Sequence, residues 1–293
     1  MIRQTMAKYF VCITGAAGGL GKAFAMECAS RGWDLYLTDI SSDKLERLAN
    51  GLKELHNVKV LFDSCDLADP EARRLFWQRI SNLEIDFSML INVAGIDFDG
   101  AFMDRASNEI DTILKVNIEA AVAMTRAVIE NQRTDQPLYI INVSSMAGFY
   151  SMPMKAIYAA SYRFLLDFSR AMRQEQRPRN IRVMALYPAG LATKEDTINS
   201  ITSQGWAGQV TTLQTGQAVF NAINRALVGY SVNIPGWINR TLTAMSSLLP
   251  ADWVAWLIWR RWQKTRAIAA RLHGQIGEPE LRIDSHGLHA EQV

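Results

Sequence analysis

Short apolar stretches alternate with longer amphipathic segments along most of this chain. The apolar stretches are rich in β-branched and aromatic residues, as buried strands are: Tyr9–Thr14, Leu35–Asp39, Val58–Phe62, Met89–Val93, Leu138–Val143 and Arg182–Tyr187. Helical spacing marks Gly19–Arg31, Asp43–Leu55, Pro70–Leu83, Asn108–Asn131, Ile157–Arg177 and Thr215–Val228. The alternation predicts an α/β fold, a doubly wound parallel sheet with helices on both faces. Ligands of such folds bind beyond the carboxyl ends of the strands.

A glycine-rich turn, Thr14-Gly15-Ala16-Ala17-Gly18-Gly19-Leu20-Gly21, joins the first predicted strand to the first helix. Gly15 permits a tight bend, Gly19 lets a pyrophosphate approach the backbone, and Gly21 lets the helix pack closely on the sheet. The N–H groups of the first helical turn, which includes Leu20, then face the phosphates. Glycines also mark ordinary turns. The flanking strand and helix favour a Rossmann-like dinucleotide site.

Asp39 ends the second predicted strand, where an acid would accept hydrogen bonds from the hydroxyls of the adenosine ribose. The same carboxylate would repel a 2′-phosphate, and the neighbouring Ala16, Ala17 and Ile40 carry no compensating positive charge. We therefore predict NAD(H) in preference to NADP(H). A helix N-cap or turn-forming role for Asp39 is the alternative.

Ser145 and Tyr158, thirteen residues apart, follow the fifth predicted strand, and Asn117 lies in Lys115-Val116-Asn117. With the glycine-rich turn, this arrangement resembles the short-chain dehydrogenase/reductase family over residues 8–230. The resemblance implies hydride transfer between a nicotinamide cofactor and a carbonyl/alcohol pair. In that family the tyrosine donates or removes the proton, the serine polarises the same oxygen, and the asparagine holds a water in a proton relay. Ser144 is the competitor for the serine role.

The resemblance also implies cofactor contacts along the carboxyl ends of the strands. By position, Asp66 and Leu67 would contact the adenine end of the cofactor. The turn that begins at Pro188 and the following Thr193 would contact its nicotinamide end. The implied contacts are Asp66, Leu67, Asn92, Ala94, Gly95, Tyr158, Tyr162, Pro188, Gly190, Leu191 and Thr193. Two turns depart from the family pattern, at Val93 and at Ala189.

The largest departure is Tyr162, which stands where the family has a lysine that lowers the tyrosine pKa and binds the nicotinamide ribose. A free tyrosine has a pKa of ~10, so about one thousandth is ionised at neutral pH. Tyr162 can hydrogen-bond a ribose but carries no charge. Arg163 lies about 140° from Tyr158 around an ideal helix, so we expect its positive charge to face away from Tyr158. Lys155 would share the side of Tyr158 if its segment is helical, although a lysine before a helix is usually just solvated.

Composition excludes several other classes of protein. A net charge of +2 gives no reason to expect a nucleic-acid partner. The cysteines, Cys12, Cys28 and Cys65, lie in apolar segments without metal-ligand spacing, so we expect reduced thiols and no metal site. Residues 1–8 lack the apolar core of a signal peptide, and no apolar stretch reaches the roughly 20 residues that span a bilayer. These features predict a cytoplasmic protein.

The carboxyl-terminal part repeats tryptophan every third residue, at Trp253, Trp256, Trp259 and Trp262, before a basic end. Such a band suits peripheral membrane contact through residues 248–266, a cap over an apolar substrate pocket, a dimer contact, or packing on its own domain. We expect a catalytic domain over 1–234, a helical extension over 235–272 and a disordered tail over 273–293, with Thr193–Gln214 as a mobile loop.

Three hypotheses about function follow from these patterns, and the third is a peripheral membrane protein in which hydride chemistry persists. The first is an NAD(H)-dependent oxidoreductase with a hydrophobic substrate, assembled as a homodimer or homotetramer through the long helices Asn108–Asn131 and Ile157–Arg177, as the family commonly is. The second is a catalytically impaired dinucleotide-binding scaffold or sensor that contacts a partner or membrane through its carboxyl-terminal segment. The retained Ser145 and Tyr158 favour the first hypothesis, and Tyr162 favours the second.

Overall fold

The structure, a computed structural model, describes residues 9–98, 100–132, 136–188, 215–246 and 249–275. Within these ranges one parallel sheet of seven strands has the order β3-β2-β1-β4-β5-β6-β7. Its strands are β1 Phe10–Thr14, β2 Asp34–Asp39, β3 Val60–Ser64, β4 Phe87–Asn92, β5 Leu138–Val143, β6 Ile181–Leu186 and β7 Val232–Asn233. The order reverses between β1 and β4, which opens a crevice at their carboxyl ends.

Helices connect the strands and continue after the sheet. They are α1 Gly19–Ser30, α2 Ser42–Leu55, α3 Pro70–Ser81, α4 Ser107–Leu114, α5 Ala121–Glu130, α6 Ala156–Glu175, α7 Thr215–Val228, α8 Trp237–Ser246 and α9 Ala251–Gln275. A π-helical segment, Lys115–Ala120, joins α4 to α5, and short 3₁₀ turns lie at Phe102–Asp104, Met146–Phe149 and Arg177–Arg179. None of the described helices has the length and apolar character needed to cross a membrane.

Apolar side chains cover both faces of the sheet, which is why its strands have nearly continuous apolar sequences. On one face Tyr36, Phe76, Trp77 and Phe87 pack edge to face, with ring centres 5.6–6.2 Å apart. This geometry suits the ring quadrupoles. The three cysteines are free thiols buried in the protein. The core therefore holds the strand ends in fixed register beneath the crevice.

The predicted fold class is confirmed, and most elements begin and end within a few residues of their predicted bounds. Leu138–Val143 and Thr215–Val228 agree in full. The third strand begins at Val60, not Val58, because the N–H of Val58 is bonded to the carbonyl of His56 in a turn. The two-residue strand β7 was missed, since so short a strand has no periodicity to detect.

Two predictions about the later part of the chain fall partly or wholly outside the described residues. Thr193–Gln214 lies outside them, and so do residues 276–293 of the predicted tail. Helix α9 continues to Gln275, past the boundary expected at 272. The domain boundaries themselves stay a prediction.

Candidate active site

The glycine-rich turn brings β1, α1 and β4 into close contact. Gly15 has a φ of +62°, and a Cβ there would lie 2.8 Å from the backbone of Ala94. A Cβ on Gly21 would lie 2.1 Å from the carbonyl oxygen of Gly15, so α1 rests directly on the turn. Gly18 caps α1 without a side-chain hydrogen bond. The turn is therefore tight and closely packed, while a pyrophosphate site at the start of α1 stays a prediction.

Thr14, at the end of β1, holds the loop that follows β4, a role that the sequence did not reveal. Its hydroxyl oxygen accepts hydrogen bonds from the N–H groups of Val93 and Ala94, at 3.1 and 3.2 Å. Because Thr14 lies opposite Asn92 in the strand register, these bonds turn the chain sharply at the end of β4. A threonine immediately before the first glycine is the signal that could have revealed this role.

The carboxylate of Asp39 lies beside the glycine-rich turn. It accepts one hydrogen bond from the N–H of Ala17, at 2.9 Å, and another from the N–H of Ser41, at 3.1 Å. The turn-forming role is therefore present. Each carboxylate oxygen has a second lone pair, and the side chain is only half-buried, so a ribose can still bind.

The loop after β3 places Asp66 on the surface and Leu67 in the core. Asp66 accepts a hydrogen bond from the N–H of Ala68, at 2.9 Å. The buried guanidinium of Arg73 bonds the carbonyl oxygen of Leu67 and pairs with Glu119. These bonds fix the loop at the side of the crevice where the adenine was expected.

Tyr158, in the first turns of α6, lies close enough to the side chains of Ser145 and Tyr162 for hydrogen bonding with them to affect its pKa. Burial raises the pKa of Tyr158 above its ordinary value, and the carboxylate of Asp97 adds to the rise. The two hydrogen bonds and the ammonium of Lys155 lower this pKa, but by less. Tyr158 is therefore a protonated phenol at neutral pH.

The structure separates the two candidate serines. The hydroxyl of Ser144 is buried and donates to the backbone carbonyl of Tyr162, at 3.1 Å. The hydroxyl of Ser145 accepts from the N–H of Ala147, at 3.2 Å, and lies in contact with Tyr158. Of the two serines, Ser145 therefore lies beside Tyr158, while its catalytic role stays a prediction.

Tyr162 occupies the space beside Tyr158, with the ring centres 4.6 Å apart and the rings edge to face. A Cβ on Gly95 would lie 2.6 Å from the Tyr162 hydroxyl, and a Cβ on Gly148 would lie 2.8 Å from its backbone carbonyl carbon. Burial raises the pKa of Tyr162 well above its ordinary value, with further contributions from Tyr158 and Asp97. Tyr162 therefore stays neutral and contributes no positive charge.

Asn117 lies within the π-helical segment and is buried. Its side chain accepts from the N–H of Ile96 at 2.9 Å and donates to the carbonyl of Ile96 at 3.0 Å and to the Ser161 hydroxyl at 3.2 Å. The side chain therefore joins the loop after β4 to helix α6. Irregular helical turns of this kind occur frequently at functional sites.

A buried polar ladder runs under the site. Asn92 and Asn142 are opposite each other in the register of β4 and β5. The Asn92 amide donates to the Asn142 side chain at 2.8 Å and to Thr125 at 3.2 Å, and Asn142 donates to Ser169 of α6 at 2.9 Å. The Asn92 side chain therefore orients the strand ends and α6, while the cofactor contact that the resemblance implies for it stays a prediction.

Part of the predicted site lies beyond the described residues. Pro188 follows β6, and its carbonyl accepts a hydrogen bond from the N–H of Met146, at 3.3 Å. Gly190, Leu191 and Thr193 lie outside the described ranges, as does the altered position Ala189. Among the described residues, no cluster of three or more histidine, cysteine or acidic side chains could hold a metal ion.

Two apolar cavities lie at the start of α6, and Tyr158 lines the smaller of them. The smaller, of about 230 Å³, is lined by Tyr158, by Phe98 and Ile113, and by Trp259 of α9. The larger, of about 680 Å³, extends from Pro153 to Val254 of α9. Pro153 and Ala156 line both cavities, and residues of α9 line each of them.

Known proteins share this fold and this sequence pattern. The model of a family described as short chain dehydrogenase matches residues 9–201. A very-long-chain 3-oxoacyl-CoA reductase of Anas platyrhynchos is 32% identical over 193 residues, 64% of this chain and 61% of that protein. The chain thus spans about three fifths of the length of the curated relatives that it matches first.

Solved structures agree on the fold. A 7beta-hydroxysteroid dehydrogenase aligns with a TM-score of 0.77 at 21% identity, over 85% of this chain and 96% of that one. A short-chain dehydrogenase from Sphingobium yanoikuyae in complex with NADPH aligns with a TM-score of 0.68 at 23% identity, over 94% and 99% of the two chains.

Gly148→Ala tests whether the close approach of α6 is required. The new methyl group would overlap the backbone of Tyr162, so we expect a loss of roughly 1–3 kcal/mol in the free energy of unfolding. Urea denaturation measures this loss. Gly51→Ala in α2 is the control, because its methyl group meets open space and is expected to be neutral or stabilising by about 0.5–1 kcal/mol. Equal stability of the two variants would contradict the packing described.

Proposed function

The chain belongs to the short-chain dehydrogenase/reductase family, and from that membership we propose that it transfers hydride between NAD(H) and a hydrophobic carbonyl/alcohol substrate. The observation that carries the proposal is the contact between Tyr158 and Ser145 beside a glycine-rich crevice. Acid–base and polarising hydroxyls are both present where a carbonyl oxygen would bind. A protein that only held a dinucleotide would have no use for this pair.

The residues of the crevice fit a nicotinamide dinucleotide. Gly15 and Gly21 let the turn pack tightly against the loop after β4 and the start of α1, whose N–H groups would face a pyrophosphate, and Asp39 offers lone pairs to a ribose. When bound, the cofactor supplies or accepts the hydride. The carboxylate of Asp39 would repel a 2′-phosphate, so the proposal keeps NAD(H) ahead of NADP(H).

Tyr158 supplies the proton in this proposal. In reduction its hydroxyl protonates the carbonyl oxygen, and in oxidation its phenolate removes the alcohol proton. Ser145 donates a hydrogen bond to the same oxygen and stabilises the charge that develops there. Asn117 holds the helix that carries Tyr158 and is proposed to order the water that returns the proton. Tyr162, beside Gly95, is proposed to bond the nicotinamide ribose.

The lack of a charged residue at position 162 slows this chemistry without abolishing it. Each unit by which the pKa of the tyrosine lies farther from the working pH costs about 1.4 kcal/mol, or about tenfold in rate if ionisation limits. That cost applies to the proton step, so it does not change the hydride that the cofactor supplies or the hydrogen bond that Ser145 donates. We therefore propose an enzyme of modest rate at neutral pH.

The apolar cavities favour a bulky or long-chain substrate. Tyr158 lines the smaller cavity, and Pro153 and Ala156 line both the smaller and the larger one. A small polar carbonyl would leave this surface in contact with water, whereas an acyl chain or fused ring would cover it. The relative that reduces very-long-chain 3-oxoacyl-CoA makes an acyl substrate a reasonable choice.

The carboxyl-terminal helix α9 is proposed to lie on a membrane surface. Trp253, Trp256, Leu257 and Arg260 fall on one helical face and are more than a third exposed, and the Arg260 guanidinium lies 4.7 Å from the Trp256 ring centre. Exposed tryptophan beside arginine suits the interface of a bilayer with anionic lipids. The opposite face lines the cavities through Val254 and Trp259, so α9 would connect the bilayer to the substrate site.

An oligomer remains part of the proposal. Phe164 of α6 is exposed and stacks on Phe168 with ring centres 5.9 Å apart, and Leu114 of α4 is also exposed. Apolar side chains on these two helices fit helix-to-helix contact with a second copy. A location at or near a membrane surface is proposed because of the exposed face of α9.

The first test is consumption of NADH with a panel of long-chain 3-oxoacyl thioesters, bulky ketones and short aldehydes. We expect turnover with the apolar substrates and a loss of at least a hundredfold in Tyr158→Phe, which removes the general acid. Tyr230→Phe, at an exposed tyrosine, is the control. Saturable NADH binding with no turnover of any carbonyl would favour the alternative, a dinucleotide-binding scaffold or sensor.

Cofactor preference is tested by Asp39→Ala. Loss of the proposed ribose bonds should weaken NADH binding about tenfold or more, while NADPH binding should improve because the repulsion is removed. Asp34→Ala is the control, since Asp34 lies at the other end of β2 and bonds the N–H of Lys59 at 2.9 Å. Unchanged relative affinities of Asp39→Ala for NADH and NADPH, measured by fluorescence titration, would be inconsistent with the assignment.

Membrane contact is tested by sedimentation with vesicles of phosphatidylcholine, with and without phosphatidylserine. The wild type should bind the anionic vesicles, and replacement of both Trp253 and Trp256 by alanine should weaken binding about tenfold or more. Trp237→Ala, at an exposed tryptophan of α8, is the control. If the double variant instead loses a dimer and the wild type ignores vesicles, this face meets a second copy.

A further inference from the structure

An ion pair that the family pattern does not include lies against Tyr158. Lys155 stands immediately before α6, and its ammonium nitrogen is 5.1 Å from the centre of the Tyr158 ring. The ammonium pairs with the carboxylate of Asp97, in the loop after β4. The Lys155 and Asp97 side chains are only 18% and 33% exposed, so water screens their charges incompletely.

The backbone around Lys155 is built to hold this position. Met154, the preceding residue, is buried and has a φ of +71°, in the left-handed region that an unbranched L-residue rarely adopts. Its carbonyl accepts a hydrogen bond from the N–H of Gly100, at 3.0 Å. A strained residue persists only where its surroundings fix it. The loops after β4 and before α6 are therefore joined twice, once through Gly100 and Met154 and once through Asp97 and Lys155.

Within the described chain, the elements packed against Tyr158 each contribute a polar or charged group that faces it. Helix α6 contributes Tyr162, the segment after β5 contributes Ser145, and the two joined loops contribute Asp97 and Lys155. Arg105 and Glu109, before and within α4, line the same cavity and pair with each other at 3.5 Å. After burial, Asp97 is the main group that raises the pKa of Tyr158, and Lys155 is the cation that lowers it.

We propose that Lys155 is a positioning residue for proton transfer, whose ammonium stabilises the phenolate form of Tyr158 while Asp97 holds it over the ring. The inference rests on the proposed role of Tyr158 as proton donor and acceptor. It places the positive charge three residues before the tyrosine, not four residues after it. Asp97 has two opposed effects, because it fixes the ammonium in place and its own charge disfavours the phenolate.

The ionisation of residue 158 can be measured without cofactor or substrate. Full-length protein with 3,5-difluorotyrosine at position 158 is titrated by ¹⁹F NMR, because the fluorines make the phenol more acidic and bring its ionisation into the range where the protein is folded. Lys155→Met should move the ionisation to higher pH, Lys155→Arg should restore it, and Asp97→Asn should move it to lower pH. Arg163→Met is the control, since the exposed Arg163 pairs with Asp167 at 3.1 Å.

The direction of the Lys155→Met shift separates electrostatics from damage to the fold. Partial unfolding would expose the phenol to water and lower its pKa, the opposite of the expected change. An ionisation that is unchanged or moves to lower pH in Lys155→Met would overturn the inference. If the positive charge is what matters, Lys155→Arg should restore the wild-type ionisation and Lys155→Leu should not. A Lys155→Leu variant that restored it as fully as Lys155→Arg would also overturn the inference.

Activity gives the second readout. In the oxidative direction at pH 8, Lys155→Met should lose roughly three- to tenfold in kcat/KM, with little change in the affinity for NADH measured separately. The ionisation of residue 158 could shift as expected in the variants while neither the wild type nor any variant turns over a carbonyl. In that case the electrostatic inference stands and the proposed function fails. If turnover depends on Tyr158 while the NMR shifts are absent, the function stands and this inference fails.

Discussion

The close approach of helix α6 to the carboxyl edge of the sheet is the constraint on which the site depends. Gly95 and Gly148 make it possible, because a methyl group at either would collide with Tyr162. The hydroxyls of Ser144 and Tyr187 then bond the carbonyl of Tyr162, and Asn142 bonds Ser169 farther along the helix. With α6 fixed at these points, Tyr158 has one place to lie, against Ser145 and over the crevice.

Sequence reasoning predicted the sheet, the glycine-rich turn and the proximity of Ser145 and Tyr158 because each has a local signature. The strands are continuous apolar runs, and Gly15 and Gly21 are required where the backbone of β4 and the turn itself come too close for a side chain. The bonds of Thr14 to the loop after β4 and of Asn92 to Asn142 were missed, because a lone polar residue in an apolar strand does not reveal its partner. The same holds for Asn117, whose bonds to Ile96 depend on a π-helical turn.

The position of Lys155 shows why the electrostatics could not be predicted. Sequence placed it near Tyr158 only on condition that its segment was helical, yet it lies in a turn set by the left-handed Met154. Its partner Asp97 is 58 residues away along the chain. A pKa depends on burial and on charges in three dimensions, and these come from separate loops. Motifs in the sequence are therefore enough to predict the family, whereas the balance of charges around Tyr158 can be known only from the three-dimensional structure.

Tyr158, the proposed proton donor, stays protonated above neutral pH, because burial and Asp97 outweigh the groups that favour its phenolate. The pH dependence of kcat/KM for alcohol oxidation in the wild type is the most direct test of this claim. Oxidation needs the phenolate as base, and a raised pKa moves the appearance of phenolate to higher pH. The account predicts a rate that rises about tenfold per pH unit and is still rising near pH ~10, where a free tyrosine is half ionised. A plateau reached below pH 8 would contradict it.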